Sequence, residues 1–194
     1  MKATRILIAQ HRAIEALFEE LARETRRTSR ARAASRLAEE LIAHMAGEEA
    51  IFYPAVRRVL GSSLRAWDTP LAAPSDAGPS DRERTLDGTG VDGSPVDTHF
   101  MLRVQLRRVL ATRVQDPAFE PRSEALRLLF THHVEAEETS IFPRVEAEVA
   151  DSQLETLGTD VLGSRPPIWV VTTEGRALIH SSKAVRGVRL PAVR

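Results

Sequence analysis

The chain has 194 residues, of which 42% are hydrophobic, enough for one domain with a real apolar core and too few to expect two. Lys plus Arg (27) balances Asp plus Glu (27), so no overall field marks a nucleic-acid or membrane partner. Cysteine is absent, which excludes disulfides, thiolate metal ligands and thiol nucleophiles and fits a reducing compartment.

The opening segment MKATRILIAQHR has a short apolar run and no small-residue cleavage pattern, so it does not read as a secretion signal. No stretch approaches the roughly 18 apolar residues that span a bilayer. A soluble cytoplasmic protein is expected.

The first predicted helix covers about 4–27, with Leu7, Ile14, Phe18 and Leu21 on one stripe. The second covers about 31–60 and aligns Leu37, Leu41, Ile51 and Ala55. Residues 61–93 are rich in Gly, Pro, Ser and Asp and keep no apolar period, so they read as a flexible crossover. The third helix has the clearest start: Ser94 as N-cap, Pro95 at the first position and Asp97 at the third, with a stripe of Leu102, Leu106 and Val109 or Leu110. The fourth starts near Pro121 and aligns Leu126, Phe130 and Ile141. The pattern allows a short helix near 153–162. The basic tail from Arg165, with its single apolar run IWVV, reads as disordered or loosely packed. The expectation is an all-α, up-down four-helix bundle over 1–150, with a long crossover between helices two and three and a partly disordered C-terminal extension over 151–194.

The informative residues are those that interrupt the stripes. Helix one places His11 between Leu7 and Ile14, and helix two places His44 and Glu48 between Leu41 and Ile51. Helix three opens its stripe with His99, and helix four places His133 and Glu137 between Phe130 and Ile141. Four imidazoles and two carboxylates in a core would cost several kcal/mol for each unpaired charge. A metal cluster removes the conflict, because it supplies positive charge to the carboxylates and accepts the imidazole lone pairs.

The spacing repeats. HMAGEEAIFYP from His44 corresponds to HVEAEETSIFP from His133. His11 precedes His44 by 33 positions, and His99 precedes His133 by 34. The chain therefore reads as two copies of one helix pair, each giving a His and a His-x-x-x-Glu whose two members share a helix face. With turns near residues 30 and 116, the six side chains fall at about one level. Mixed imidazole and carboxylate donors suit iron, manganese or zinc, in a dinuclear site whose open positions would hold water, oxide or hydroxide and admit dioxygen or peroxide. Glu49 and Glu138 follow the two glutamates and are candidate acceptors for the ligand imidazoles, or else solvated. Tyr53 is a candidate phenol at the site, with packing the simpler role. Pro54 and Pro143 are read as kinks. His132 lies about 100° round the helix from His133 and is assigned to solvent or the outer shell. His180 is read as inert tail, and Trp67 and Trp169 as possible caps of a bundle end.

These motifs, with the histidines of LIAQH (His11) and VDTH (His99), resemble the hemerythrin-like, or HHE cation-binding, family over about 4–60 and 95–148. The resemblance implies a four-helix bundle with a non-haem centre of two iron ions, oxo- or hydroxo-bridged. His11 and His44 would be terminal ligands of one iron, His99 and His133 of the other, and Glu48 and Glu137 the bridges. It also implies oxygen binding, oxygen or iron sensing, peroxide decomposition or protection against nitric oxide, with O2, H2O2 or NO as the small-molecule partner. Oxygen-carrying members have a further histidine one turn after the third-helix histidine, where this chain has Arg103. That points to two more similar irons with room to react, rather than to simple reversible transport. A metal- or oxygen-responsive binding module and a purely structural metallo-bundle are the alternative expectations.

Overall fold

The computed structural model describes residues 1–60, 95–163, 168–172 and 175–179. The first helix, α1 (Ala3–Arg23), is rich in Ala, Leu, Glu and Arg, which lose little side-chain freedom in a helix, and it buries Leu7, His11, Ile14, Phe18 and Leu21 along one face. It ends where Glu24 turns extended, and α2 (Arg27–Gly47) begins after two further residues. The turn thus falls at residues 24–26, not near 30. No Gly or Pro marks it, and the Arg/Ala-rich segment that follows is itself a good helix former, so apolar periodicity does not register the boundary.

The second helix does not run to residue 60 in one geometry. At Glu48–Phe52 the backbone opens into a π-helical turn, π1, whose following residue Tyr53 bonds its N–H to the Glu48 carbonyl five positions back, and α3 (Tyr53–Leu60) then continues. The second copy repeats this. α5 (Phe119–Ala136) leads into π2 (Glu137–Ile141), where the Phe142 N–H reaches the Glu137 carbonyl, and α6 (Phe142–Glu148) follows. Pro54 and Pro143 come directly after. Having no N–H, they make no bond to Ala50 or Thr139, so an α-helical bond is already missing where the turn widens.

Each π turn inserts an extra residue and rotates everything after it. Ile51, Ala55 and Ile141, expected on the core stripe, are only half-buried. Phe52, Val56, Phe142 and Val145 are buried in their place. Reading both proline-bearing segments as kinked α-helix misses this shift.

α4 (Pro95–Leu110) starts at the proline expected to start it and buries Leu102, Leu106 and Val109. α1 packs against α2 and α5, and α4 packs against α5 and α2, so the four segments form a ring of neighbours. Their apolar side chains divide into two clusters. One gathers Ile14, Phe18, Leu37, Leu41, Leu106, Leu126 and Phe130. The other gathers Leu7, Phe52, Tyr53, Phe142 and Val145 and adds Leu154 and Val161 of α7 (Asp151–Gly163). The interrupting histidines and glutamates lie between the two.

α7 matches the short helix expected near 153–162 and lies against the start of α1. A Cβ on Gly158 would stand 2.3 Å from the Met1 carbonyl oxygen and 2.8 Å from Ile6 Cδ1, so only glycine allows this approach. The tail departs from expectation: β1 (Ile168–Thr172) pairs antiparallel with β2 (Gly175–Ile179), Ile168 opposite Ile179 and Thr172 opposite Gly175. IWVVT is β-branched and aromatic, and backbone pairing with GRALI satisfies groups that a loose tail leaves to water. Ser94, the crossover 61–93 with Trp67, and His180 lie outside the described residues. Among those described, no helix is long and apolar enough to cross a membrane.

Candidate metal centre

All six interrupting residues are buried: His11, Glu48 and His99 have no exposed surface, Glu137 has 1%, and His44 and His133 have 2%. α1 presents His11, α2 His44, π1 Glu48, α4 His99, α5 His133 and π2 Glu137. Donor atoms of His11, His44, Glu48, His133 and Glu137 all lie within 4.8 Å of one another. His99 adjoins this group, its Nε2 standing 3.2 Å from Glu48 Oε2. The nearest ring pairs are His11 with His44, at 4.7 Å between centroids, and His99 with His133, at 4.9 Å.

The separations are close to those of donors converging on cations. Two donors each about 2.1 Å from one ion stand roughly 3.0–3.4 Å apart at octahedral to tetrahedral angles. Here His11 Nε2 to Glu137 Oε2 and His44 Nε2 to Glu48 Oε2 are both 3.2 Å, and His133 Nε2 to Glu137 Oε2 is 3.5 Å. His44 Nε2 and His133 Nε2 face each other at 3.4 Å. Buried polar atoms normally find partners. Yet His11 Nε2, Glu48 Oε1 and Glu137 Oε2, all in this layer, have no hydrogen-bond partner within the protein. Convergent, partnerless lone pairs in a water-poor layer are satisfied by a metal ion, and the residues present fit one.

The outer contacts aim these donors. His11 Nδ1 is 2.9 Å from Glu138 Oε1, and His99 Nδ1 is 2.8 Å from Glu49 Oε1. A carboxylate only accepts, so each Nδ1 donates, which leaves each Nε2 as the atom that would offer a lone pair to a cation. His44 Nδ1 is paired with Gln10 Oε1 at 3.1 Å in the same sense. The two outer glutamates are themselves gripped. Arg103 donates to both oxygens of Glu49 at 2.7 Å, and Arg12 donates to Glu138. Of the two roles open to Glu49 and Glu138, the structure shows that of imidazole acceptor.

The π turns place the next aromatic residue over the site. A residue five positions on lies about 140° away in an α-helix but returns close to the same face in a π turn. Tyr53, five after Glu48, donates from Oη to Glu137 Oε1 at 2.5 Å and lies 3.5 Å from both Glu48 Oε2 and His99 Nε2. Phe142, five after Glu137, stacks on His11 with 5.8 Å between centroids and 9° between planes. Tyr53 is thus a polar member of the layer as well as a packed one.

Burial dominates the electrostatics. It lowers His44 well below the ordinary imidazole range, helped by the neighbouring His11 and His133. It lowers His133 to about 4, against the opposing pull of Glu137. Glu48 is raised well above the carboxylate range by burial and then by the charge of Glu137. Burial also opposes ionisation of Glu137, but His133 and His11 outweigh it and its pKa falls. Two carboxylates this close do not both ionise without a cation, so Glu137 keeps the charge and Glu48 the proton. Tyr53 is raised well above its usual value by burial and then by Glu48 and Glu137. Burial disfavours charge on Glu49, yet hydrogen bonds from His99 and Arg103 prevail and bring it to about 2.

Sequence reasoning missed Gln10, Arg12 and the active part played by Arg103. Gln10 and Arg12 flank His11, and nothing in the periodicity separates them from a solvated face. Arg103 stands four after His99, a spacing that puts both on one helix face and could have suggested a shared partner. His132 is exposed, as expected.

Residues 2–66 match the family model described as Hemerythrin HHE cation binding domain. That range holds His11, His44 and Glu48, while the second copy lies beyond it. No curated protein matches the chain. The crystal structure of a hemerythrin HHE cation binding domain-containing protein from Mycobacterium kansasii is similar in fold, with a TM-score of 0.63 and 20% identity over 84% of each chain. The chain thus resembles the HHE cation-binding model over its first third and shares the fold of a solved HHE-domain protein over most of its length.

Proposed function

We propose that this chain is a non-haem di-iron protein, built on an up-down four-helix bundle, that binds or reacts with O2, hydrogen peroxide or nitric oxide, slow peroxide decomposition included. The observation that carries the reading is one buried layer of four imidazoles and two carboxylates in which His11 Nε2, Glu48 Oε1 and Glu137 Oε2 lack protein hydrogen-bond partners. His11, His44, His99 and His133 would be terminal ligands, with Glu48 and Glu137 shared between the ions. Manganese and zinc suit the same donors, and the family resemblance favours iron. Bound iron supplies Lewis-acid and one-electron chemistry at this layer.

The protein's own residues set the conditions. Glu49, Glu138 and Gln10 orient three of the imidazoles. Phe130 lines one side of the layer, 6.0–6.2 Å from the rings of His11, His44 and His133, and Phe142 covers His11, so water is kept out. Tyr53 Oη holds a proton against Glu137 beside the open ligand atoms, where a small oxygen species would meet it. In this reading residues 1–150 are the metal-binding unit and 151–194 its extension.

The test is metal content and the visible spectrum of protein from iron-supplemented cells, beside a His133→Ala, Glu137→Ala double variant. About two irons per chain and an oxygen- or peroxide-sensitive charge-transfer band, both lost in the variant, are expected. Metal-free protein, or metal indifferent to the variant, would falsify the di-iron reading.

A further inference from the structure

We propose that Arg103 is a positioning residue that makes the His99 half of the centre the more firmly held of the two. The inference rests on the di-iron reading above but concerns residues outside the ligand set. His99 and Arg103 lie four apart on α4 and grip the same carboxylate of π1. His99 Nδ1 and Arg103 Nη1 both donate to Glu49 Oε1, at 2.8 and 2.7 Å, and Arg103 Nη2 donates to Glu49 Oε2 at 2.7 Å. A guanidinium that bonds both oxygens fixes the carboxylate plane as well as its position. The imidazole attached to that plane is then fixed in rotation and tautomer, with Nε2 aimed at Glu48.

The His11 half has the same parts but a looser joint. Glu138 accepts from His11 Nδ1 at 2.9 Å and from Arg12, but Arg12 divides its guanidinium. Nη1 goes to both oxygens of Glu15, at 2.9 and 3.0 Å, and only Nη2 reaches Glu138. The Arg12 side chain is 53% exposed, against 36% for Arg103, so solvent competes more strongly for it. One half is therefore clamped by a two-armed ion pair within the bundle wall, and the other is tethered by one arm from its surface. An ion beside His99 leaves more slowly than an ion beside His11, because its ligand cannot swing away.

Iron release from the loaded full-length protein into a colorimetric chelator tests this. Wild type is expected to release iron in two phases. Arg103→Gln speeds the slow phase by about 10-fold or more, the usual scale for losing an outer-shell partner. Arg103→Lys, which keeps the charge and loses the fork, falls between, and Arg12→Gln leaves the slow phase unchanged. Melting of the metal-free variants separates this effect from loss of fold, and Arg103→Lys carries the test if Arg103→Gln does not fold. A single release phase in wild type overturns the proposal, as do wild-type kinetics in the Arg103 variants. A wild type that takes up no iron overturns the di-iron reading instead, so the two failures are told apart.

Discussion

At the residue scale, the centre is a place where each group is wrong for a core taken singly and right in company. Glu48 shows this most clearly. Without a cation it is the carboxylate that keeps its proton, driven by burial and by Glu137. Glu48→Gln reproduces that neutral form, so metal-free stability should stay within about 1 kcal/mol of wild type while metal binding collapses. Urea unfolding of the metal-free protein and metal analysis check the two halves of this prediction. A loss of several kcal/mol in the metal-free protein would show that Glu48 is ionised there. Phe130 is a contrasting case. It is fully buried and packs on Phe18 as well as on three of the histidines. Phe130→Ala should cost about 3–5 kcal/mol whether or not metal is present, from lost transfer energy and the cavity left behind.

At the scale of elements, the two π turns and α7 do most to shape the site. The turns bring Tyr53 and Phe142 to the layer that Glu48 and Glu137 occupy, and they move Phe52 and Val145 into the core. α7 closes the end of the bundle where α1 begins, with Leu154 and Val161 in the apolar cluster and Lys2 paired with Asp151 at 2.7 Å. Its approach depends on Gly158. Gly158→Ala forces a shift of backbone atoms and should cost about 1–3 kcal/mol. Hydrogen exchange should report the loss as faster opening of α7 with the metal layer unaffected; unchanged protection in α7 would mean the contact is easily relaxed.

At the scale of the whole molecule, the buried layer makes stability depend on acid and, on the proposed reading, on metal. An unfolded imidazole titrates near 6.5, whereas His133 in the folded protein does so at about 4. Between those values the unfolded chain binds the extra proton, so stability of the metal-free protein falls as pH drops from about 6.5 to 4. Glu49 acts in the same direction lower down: its contribution is present above 4.5 and is lost as pH falls toward about 2. Glu48, raised by burial, acts the other way, but His44 and His133 together outweigh it, so denaturation midpoints between pH 7 and 4 should decline, and a flat profile would contradict the neutral burial of the two histidines. Metal that binds only the folded chain adds about 2.7 kcal/mol when its free concentration is 100 times its Kd, so a chelator should lower Tm.

The sequence by itself determined the helices, their apolar stripes and the six ionisable residues breaking them, because the α-helical period is local and a charged residue on a core stripe is conspicuous. The duplicated His-x-x-x-Glu motif made the layer legible before any contact was known. Only the tertiary structure decided where that period fails. The π turns at Glu48–Phe52 and Glu137–Ile141 keep helix-forming sequences and leave only the two prolines as a trace, so a reading at 3.6 residues per turn assigns Ile51 and Ile141 where Phe52 and Phe142 belong. The structure also decided which neighbours grip the imidazoles. Gln10, Arg12 and Arg103 resemble any solvated helix face until another helix, far away in sequence, supplies the histidine or glutamate they hold.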